Sequence, residues 1–94
     1  MRFEWDPAKD VANQAKHGID FREAAEIFRG AFIASEDTRR DYGEPRIIAL
    51  GEYDGEIIRV IYTERDGAIR IISAWKANTN DRETYQKAKA SRKV

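Results

Sequence analysis

The stretch from Arg46 to Trp75 leaves this chain little choice of fold. Arg46 to Tyr53, Glu56 to Thr63 and Ala68 to Trp75 are rich in β-branched and aromatic residues, and only Asp54-Gly55 and Glu64-Arg65-Asp66-Gly67 separate them. Asp-Gly between apolar stretches is a strong hairpin signal, because a tight two-residue turn demands positive φ at both positions. A parallel crossover needs a dozen or more residues, so connections this short dictate an antiparallel meander. Ala68 to Ala74 is apolar on both faces apart from Arg70 and Ser73, as expected of a central strand.

Upstream the periodicity changes. Phe3 and Trp5 alternate with Arg2 and Glu4, the period of a short strand. Asp6-Pro7 reads as N-cap and first helical residue, and Ala8, Val11, Ala12 and Ala15 share one helical face. Gly18 suits the left-handed position that closes such a helix. Asp20 and Glu23 have the spacing of a capping box for a second helix, which buries Ala24, Ala25, Ile27 and Phe28 and ends at Arg29-Gly30. Ala31 to Ser35 is a short apolar strand, followed by a polar loop from Glu36 to Pro45. A last helix starts within Asn78 to Asp81, with Asn80 and Glu83 spaced as a capping box and Tyr85 and Ala88 placed to dock on the sheet. The expected fold is α+β, one domain over residues 1–94 in the order β-α-α-β-β-β-β-α. It has an antiparallel sheet, two N-terminal helices and one C-terminal helix.

The hydrophobic fraction of 41% is low and the charged fraction of 36% is high, which predicts a thin core: one sheet covered by helices on one side, with the other side open to a partner. Lys plus Arg and Asp plus Glu are 17 each, so nucleic-acid contact has to rest on a local patch rather than on a global field. The C-terminal stretch is locally basic, with Arg82, Lys87, Lys89, Arg92 and Lys93 against Glu83. The absence of cysteine excludes disulfides and thiolate metal sites, and a single histidine excludes a multi-histidine cluster. No apolar run approaches the ~20 residues that span a bilayer, and the N-terminal residues lack the apolar core of a secretory signal. A cytoplasmic location is expected, with no membrane partner and no cofactor.

Several segments resemble the BrnT family. Phe3-Glu4-Trp5-Asp6 with Lys9 and Asn13 is similar to its opening signature, and Lys16-His17-Gly18-Ile19-Asp20-Phe21 followed by Glu23-Ala24-Ala25 to its second. Tyr42-Gly43-Glu44 with Arg46 and Ile48-Ala49-Leu50-Gly51 resembles the third. Tyr62-Thr63-Glu64-Arg65 and Ile69-Arg70-Ile71-Ile72-Ser73-Ala74 resemble the fourth and fifth. The resemblance implies a RelE-like fold, a ribonuclease that blocks translation, and a BrnA-type ribbon-helix-helix antitoxin through which the complex reaches operator DNA. Lys76, Asp81, Arg82 and Tyr85 fit the family pattern, whereas Trp75, Thr79 and Asn80 stand where it usually carries basic residues. That departure leaves an alternative reading: an attenuated BrnT-like protein acting mainly as antitoxin-binding module and co-repressor of its operon.

RNA cleavage without a metal needs a base for the ribose 2′-hydroxyl, an acid for the leaving oxygen and cations for the charged phosphorane. Histidine titrates near neutrality, which makes His17 an acid/base candidate, although imidazolium also suits the negative end of a helix. Lys16 is a candidate phosphate contact. Arg65 can fork onto a phosphate with Glu64 as base or orienting group, or both can be an exposed hairpin tip. Arg70, a charge within an apolar strand, needs a cleft or an ion-pair partner. The expected catalytic set is His17, Glu64, Arg65 and Arg70, and the expected RNA contacts are Lys16, Lys76, Arg82 and Tyr85. Trp75, Tyr62 and Tyr85 are either core aromatics or stacking platforms for bases. No metal ligands are expected.

Overall fold

A computed structural model describes residues 1–91, so Arg92 and Lys93 of the basic C-terminal stretch lie outside the described residues. The elements are β1 (Arg2–Trp5), α1 (Pro7–His17), α2 (Phe21–Ala25), a 3-10 turn (Glu26–Arg29), β2 (Phe32–Glu36), β3 (Ile47–Tyr53), β4 (Glu56–Arg65), β5 (Ala68–Lys76) and α3 (Thr79–Ser91). Their order is the expected one. The five strands form one sheet in the order β1-β5-β4-β3-β2.

The meander from β2 to β5 is antiparallel, and β1 joins the edge of β5 in parallel. The parallel pair is possible because nearly the whole domain intervenes between the two strands. Both β-hairpins turn on Asp-Gly alone, with positive φ at Asp54, Gly55, Asp66 and Gly67. Arg65 still pairs with Ala68, so the expected four-residue connection shrinks to two and β4 runs on through Glu64 and Arg65. A bulge interrupts the β4–β5 ladder: Ile61 faces Ser73 and Tyr62 faces Ile71, which leaves Ile72 over.

Alternation across this register divides the sheet into two faces. One carries Ile58, Val60, Tyr62, Ile69, Ile71, Ala74 and Ala49, packed with Phe21, Ala24, Ile27 and Phe28 from α2 and the 3-10 turn. Phe28 is the hub of its aromatics, with ring centroids 5.6 Å from Phe3, 4.8 Å from Phe32 and 5.2 Å from Tyr62. Gly51 lets the 3-10 turn come close, since a Cβ there would stand 2.7 Å from the Ile27 Cβ. The second face carries a smaller apolar cluster of Leu50, Ile57, Ala77 and Tyr85, backed by Ile33. Helices therefore lie on both faces rather than one, because α3 turns back over the face opposite α2. Its first turn is capped by Asn78, whose side chain accepts from the Asp81 N–H at 2.8 Å. The expected Asn80–Glu83 box does not form the cap, because the helix already begins at Thr79.

The caps of the first two helices are as the sequence suggests. Asp6 accepts from the Ala8 N–H, Gly18 closes α1 at φ 72, and Asp20 and Glu23 make a reciprocal capping box. The buried side of α1 is different. Ala8, Ala12 and Ala15 are exposed and Val11 is 69% exposed, while Asn13 is buried. The inward face of α1 is polar because it meets backbone rather than side chains. Asp10 accepts from the Phe21 N–H at 2.8 Å. The Asn13 amide donates to the carbonyls of Ile19 (2.9 Å) and Ala74 (2.8 Å), and its oxygen accepts from the Ala74 N–H (3.1 Å).

Candidate functional site

The clearest concentration of charge lies on the second face, at the end that α3 does not reach. Arg70 of β5 pairs across the sheet with Thr63 of β4 and with Glu4 of β1, and Arg65 lies two residues beyond Thr63 on the same face. The loop from Asp37 to Arg46 closes over this end. Its Pro45 carbonyl accepts from the Thr63 hydroxyl at 2.6 Å, and Glu44 accepts from Arg65 at 2.8 Å. Arg70 faces Glu4 at a looser 3.7 Å. The Arg65 hydrogen bond, with the nearby charges of Arg65, Arg46 and Arg70, holds the Glu44 carboxyl below the usual carboxylate range against a smaller opposing effect of desolvation. Three guanidinium groups thus act on one carboxylate. Arg46 lies 4.1 Å from the Tyr42 ring centroid, and its buried Nε has no hydrogen-bond partner among the described residues.

A second carboxylate stiffens the loop from beneath. Asp37 is buried and accepts from the Arg39 backbone at 3.1 Å, from two guanidinium nitrogens of Arg39 at 2.9 and 2.8 Å, and from the Tyr42 hydroxyl at 3.0 Å. The Arg39 side-chain bonds come first among the causes that hold its carboxyl far below the ordinary range, and burial opposes them. Asp37 and Arg39 carried no sign of this role in the sequence beyond the density of charge between Glu36 and Arg46. Glu44 and Arg46 stood out only within the family resemblance.

The expected catalytic set does not come together as one site. Glu64 is exposed and pairs with Ile69, on the face opposite Arg65 and Arg70. Strand alternation points it away from both arginines, and the carboxylate that meets Arg65 is Glu44. His17 ends α1 and faces Trp75, which pairs with Arg59, four positions along β4 from the Thr63 that pairs with Arg70; by strand rise that is roughly 13 Å. Its ring centroid is 5.5 Å from that of Trp75. Lys16 and His17 share an open pocket of about 360 Å³ with Lys9, Ile72, Ser73 and Trp75.

Lys76 and Arg82 do meet, in a third place. They line a pocket beside the β3–β4 turn together with Glu52 and Glu56. Lys76 is 3.2 Å from Glu56, and Arg82 donates to the Ala77 carbonyl at 2.8 Å and the Thr79 hydroxyl at 3.0 Å. Tyr85 is only 4% exposed. Its hydroxyl donates to Glu52 at 2.8 Å, and with Lys89 it holds the Glu52 carboxyl below the usual range. Its ring packs in the apolar seam under α3, which leaves little of it exposed for the expected contact with RNA. Tyr62 is likewise buried, on the opposite face.

α3 is held over the sheet by charge as well as by Tyr85. Arg59 donates to Asp81 at 2.8 Å, with side chains only 15% and 9% exposed. The Arg59 guanidinium lies 5.6 Å from the Trp75 ring. Among the described residues no group of three or more His, Cys, Asp or Glu side chains is placed to hold a metal ion, and no helix is long and apolar enough to cross a membrane.

Comparison with known proteins agrees with the motifs. A family model described as "Ribonuclease toxin, BrnT, of type II toxin-antitoxin system" matches residues 5–81, from β1 into the first turn of α3. No significant match to a curated protein was found. The matched span contains β2 to β5 complete, with Glu44, Arg46, Arg65, Arg70 and Lys76, and the chain belongs to the BrnT family of ribonuclease toxins of type II toxin–antitoxin systems.

Proposed function

We propose that this protein is an endoribonuclease that cuts RNA without a metal ion, and that the arginine cluster around Glu44 is where it does so. The observation that carries the reading is the convergence of Arg46, Arg65 and Arg70 on that one carboxylate. Cations around a reactive phosphate stabilise the charge that grows on it in the transition state. Guanidinium groups are suited to this because they fork onto two oxygens at once.

In this reading Arg65 leaves Glu44 to bind the scissile phosphate. Losing that hydrogen bond raises the basicity of Glu44 at the moment a base is required. Glu44 takes the proton of the ribose 2′-hydroxyl as its oxygen attacks phosphorus, and the 5′-oxygen of the next nucleotide departs and takes a proton from solvent. The products are a 2′,3′-cyclic phosphate and a 5′-hydroxyl. Arg70, held loosely by Glu4, bears on the phosphorane, and the loop stiffened by Asp37 keeps Glu44 in place.

RNA cutting of this kind in the cytoplasm inhibits translation, and a BrnA-type antitoxin with a ribbon-helix-helix domain neutralises it and carries the complex to operator DNA. Two measurements test the reading. Expression without antitoxin should arrest growth, and the cut ends should be cyclic phosphate and 5′-hydroxyl. A 3′-hydroxyl with a 5′-phosphate would contradict the proposed chemistry.

A second reading draws on the third cluster. Lys76 and Arg82 are engaged by Glu56, Ala77 and Thr79, and Trp75, Thr79 and Asn80 bring no positive charge there. Under it the chain acts mainly as antitoxin-binding module and co-repressor. Normal growth on expression without antitoxin would favour it.

A further inference from the structure

The pocket at the end of α1 differs in its charged residues from four others on the molecule. Those beside the 36–46 loop, the β3–β4 turn and α3 all include at least one carboxylate. The lysines of this one, Lys9 and Lys16, have His17 beside them, with Trp75, Ile72 and the Ser73 hydroxyl on the strand side and no carboxylate in the lining. Lys9 and Lys16 are both exposed, and neither is in an ion pair among the described residues. By contrast Arg65, Arg70, Lys76 and Lys89 each face a carboxylate.

The aromatic wall is built rather than accidental. Asn13 ties α1 to Ala74, the residue before Trp75, through two hydrogen bonds. That tie fixes the end of the helix against the strand and sets His17 against Trp75 at 5.5 Å with ring planes tilted by 35°. Rings at this separation are already in contact, so a further flat ring adds to the outside of the pair instead of entering between them. Stacking needs only a π-face and tolerates any base, while lysines at the rim track the backbone charge.

We infer that this pocket is a stacking subsite for an unpaired RNA base, with Trp75 and His17 as the platform and Lys9 and Lys16 holding flanking phosphates. The choice of RNA as occupant rests on the ribonuclease reading above. The subsite and the arginine cluster lie along the same strand, roughly 13 Å apart by strand rise, within the span of a short oligonucleotide. Trp75 thereby supplies by stacking some of the hold on RNA that a basic residue would supply by charge. It also gives the enzyme a demand for single-stranded substrate, because a paired base cannot reach the platform.

The test uses a 2′-O-methyl oligoribonucleotide, which binds but lacks the attacking hydroxyl. The chain has two tryptophans, so Trp5→Phe leaves Trp75 as the only reporter; if that variant does not fold, the difference between the parent and Trp75→Phe serves instead. Saturable quenching of Trp75 is expected, and an abasic oligonucleotide of equal length should bind without it. Trp75→Ala should weaken binding roughly 5- to 150-fold, and Trp75→Phe should retain most of it. Replacing Lys9 and Lys16 with Ala together should lower the slope of log K against log salt by about 1.4, at ~0.7 per phosphate contact on a single strand. Oligonucleotide bound at saturation, by anisotropy of a labelled strand, with Trp75 unquenched and the salt slope unchanged would overturn the subsite, as would no binding at all. Quenching by RNA in a protein that cuts none would uphold the subsite and sink the ribonuclease reading; cutting without quenching would do the reverse.

Discussion

Asn13 and Ala74 pair as two facing residues of a sheet do, although one of them belongs to a helix. The Asn13 amide donates to the Ala74 carbonyl at 2.8 Å and accepts from the Ala74 N–H at 3.1 Å. β1 covers the edge of β5 only from Ala68 to Ile71. Beyond that point the strand would present unpaired backbone groups, and a side-chain amide stands in for the missing peptide.

Asn13→Ala should therefore destabilise the domain by about 3 kcal/mol, since buried backbone groups at Ala74 and Ile19 lose their partners at about 1–3 kcal/mol each. Urea denaturation checks this through the midpoint at constant slope. A loss below about 0.5 kcal/mol would mean that the tie is not structural.

The same pair marks the limit of what could be read from the residues. Strand positions and hairpins were legible because Asp-Gly turns and alternation are local signals. The polar inner face of α1 was not, because periodicity assigns apolar residues to the inside and Val11 looked like the better anchor. The partner of Asn13 is an edge that exists only once β1 has stopped short. Glu44 was missed for a related reason. Sequence proximity favoured Glu64 as the companion of Arg65, but neighbours in a strand point to opposite faces, and the carboxylate that reaches Arg65 comes from a loop far along the chain.

The Arg59–Asp81 pair predicts an asymmetry. Asp81→Ala leaves a mostly buried guanidinium without its carboxylate, which typically costs about 3–5 kcal/mol. Changing both to apolar residues, Arg59→Met with Asp81→Leu, should cost less than that single change. A double variant less stable than Asp81→Ala in the same denaturant series would contradict this account of how α3 is held.

Asp37 sets an acid limit on stability. Its carboxyl is held well below the ordinary range, chiefly by hydrogen bonds from Arg39. A depressed carboxylate contributes stability in full above its unfolded value of about 3.9 and loses it as pH falls towards the folded value. Thermal melts of the parent should therefore fall more steeply below about pH 4 than those of Asp37→Asn, which should be less stable at neutral pH and flatter in acid. Parallel curves would contradict the assignment.

Glu44 makes a kinetic counterpart. As a base it must be ionised, so activity should be present above its pKa and fade as pH drops through it. Removing Arg65 removes the largest cause of its depression. Arg65→Gln should lower the rate and also move the acid limb up, towards the ordinary glutamate value of about 4.3. A slower enzyme with an unmoved limb would leave Arg65 as a phosphate contact and remove Glu44 as the base.

The most direct test of the central claim is purified protein, freed of antitoxin, incubated with RNA in excess chelator beside the Arg70→Ala variant. The account predicts cleavage undiminished by the chelator and reduced by at least about 100-fold in the variant, the loss typical of removing one transition-state donor, with its melting curve unchanged. Cleavage that stops in chelator and returns with added magnesium, or an Arg70→Ala protein that cuts as fast as its parent, would contradict it.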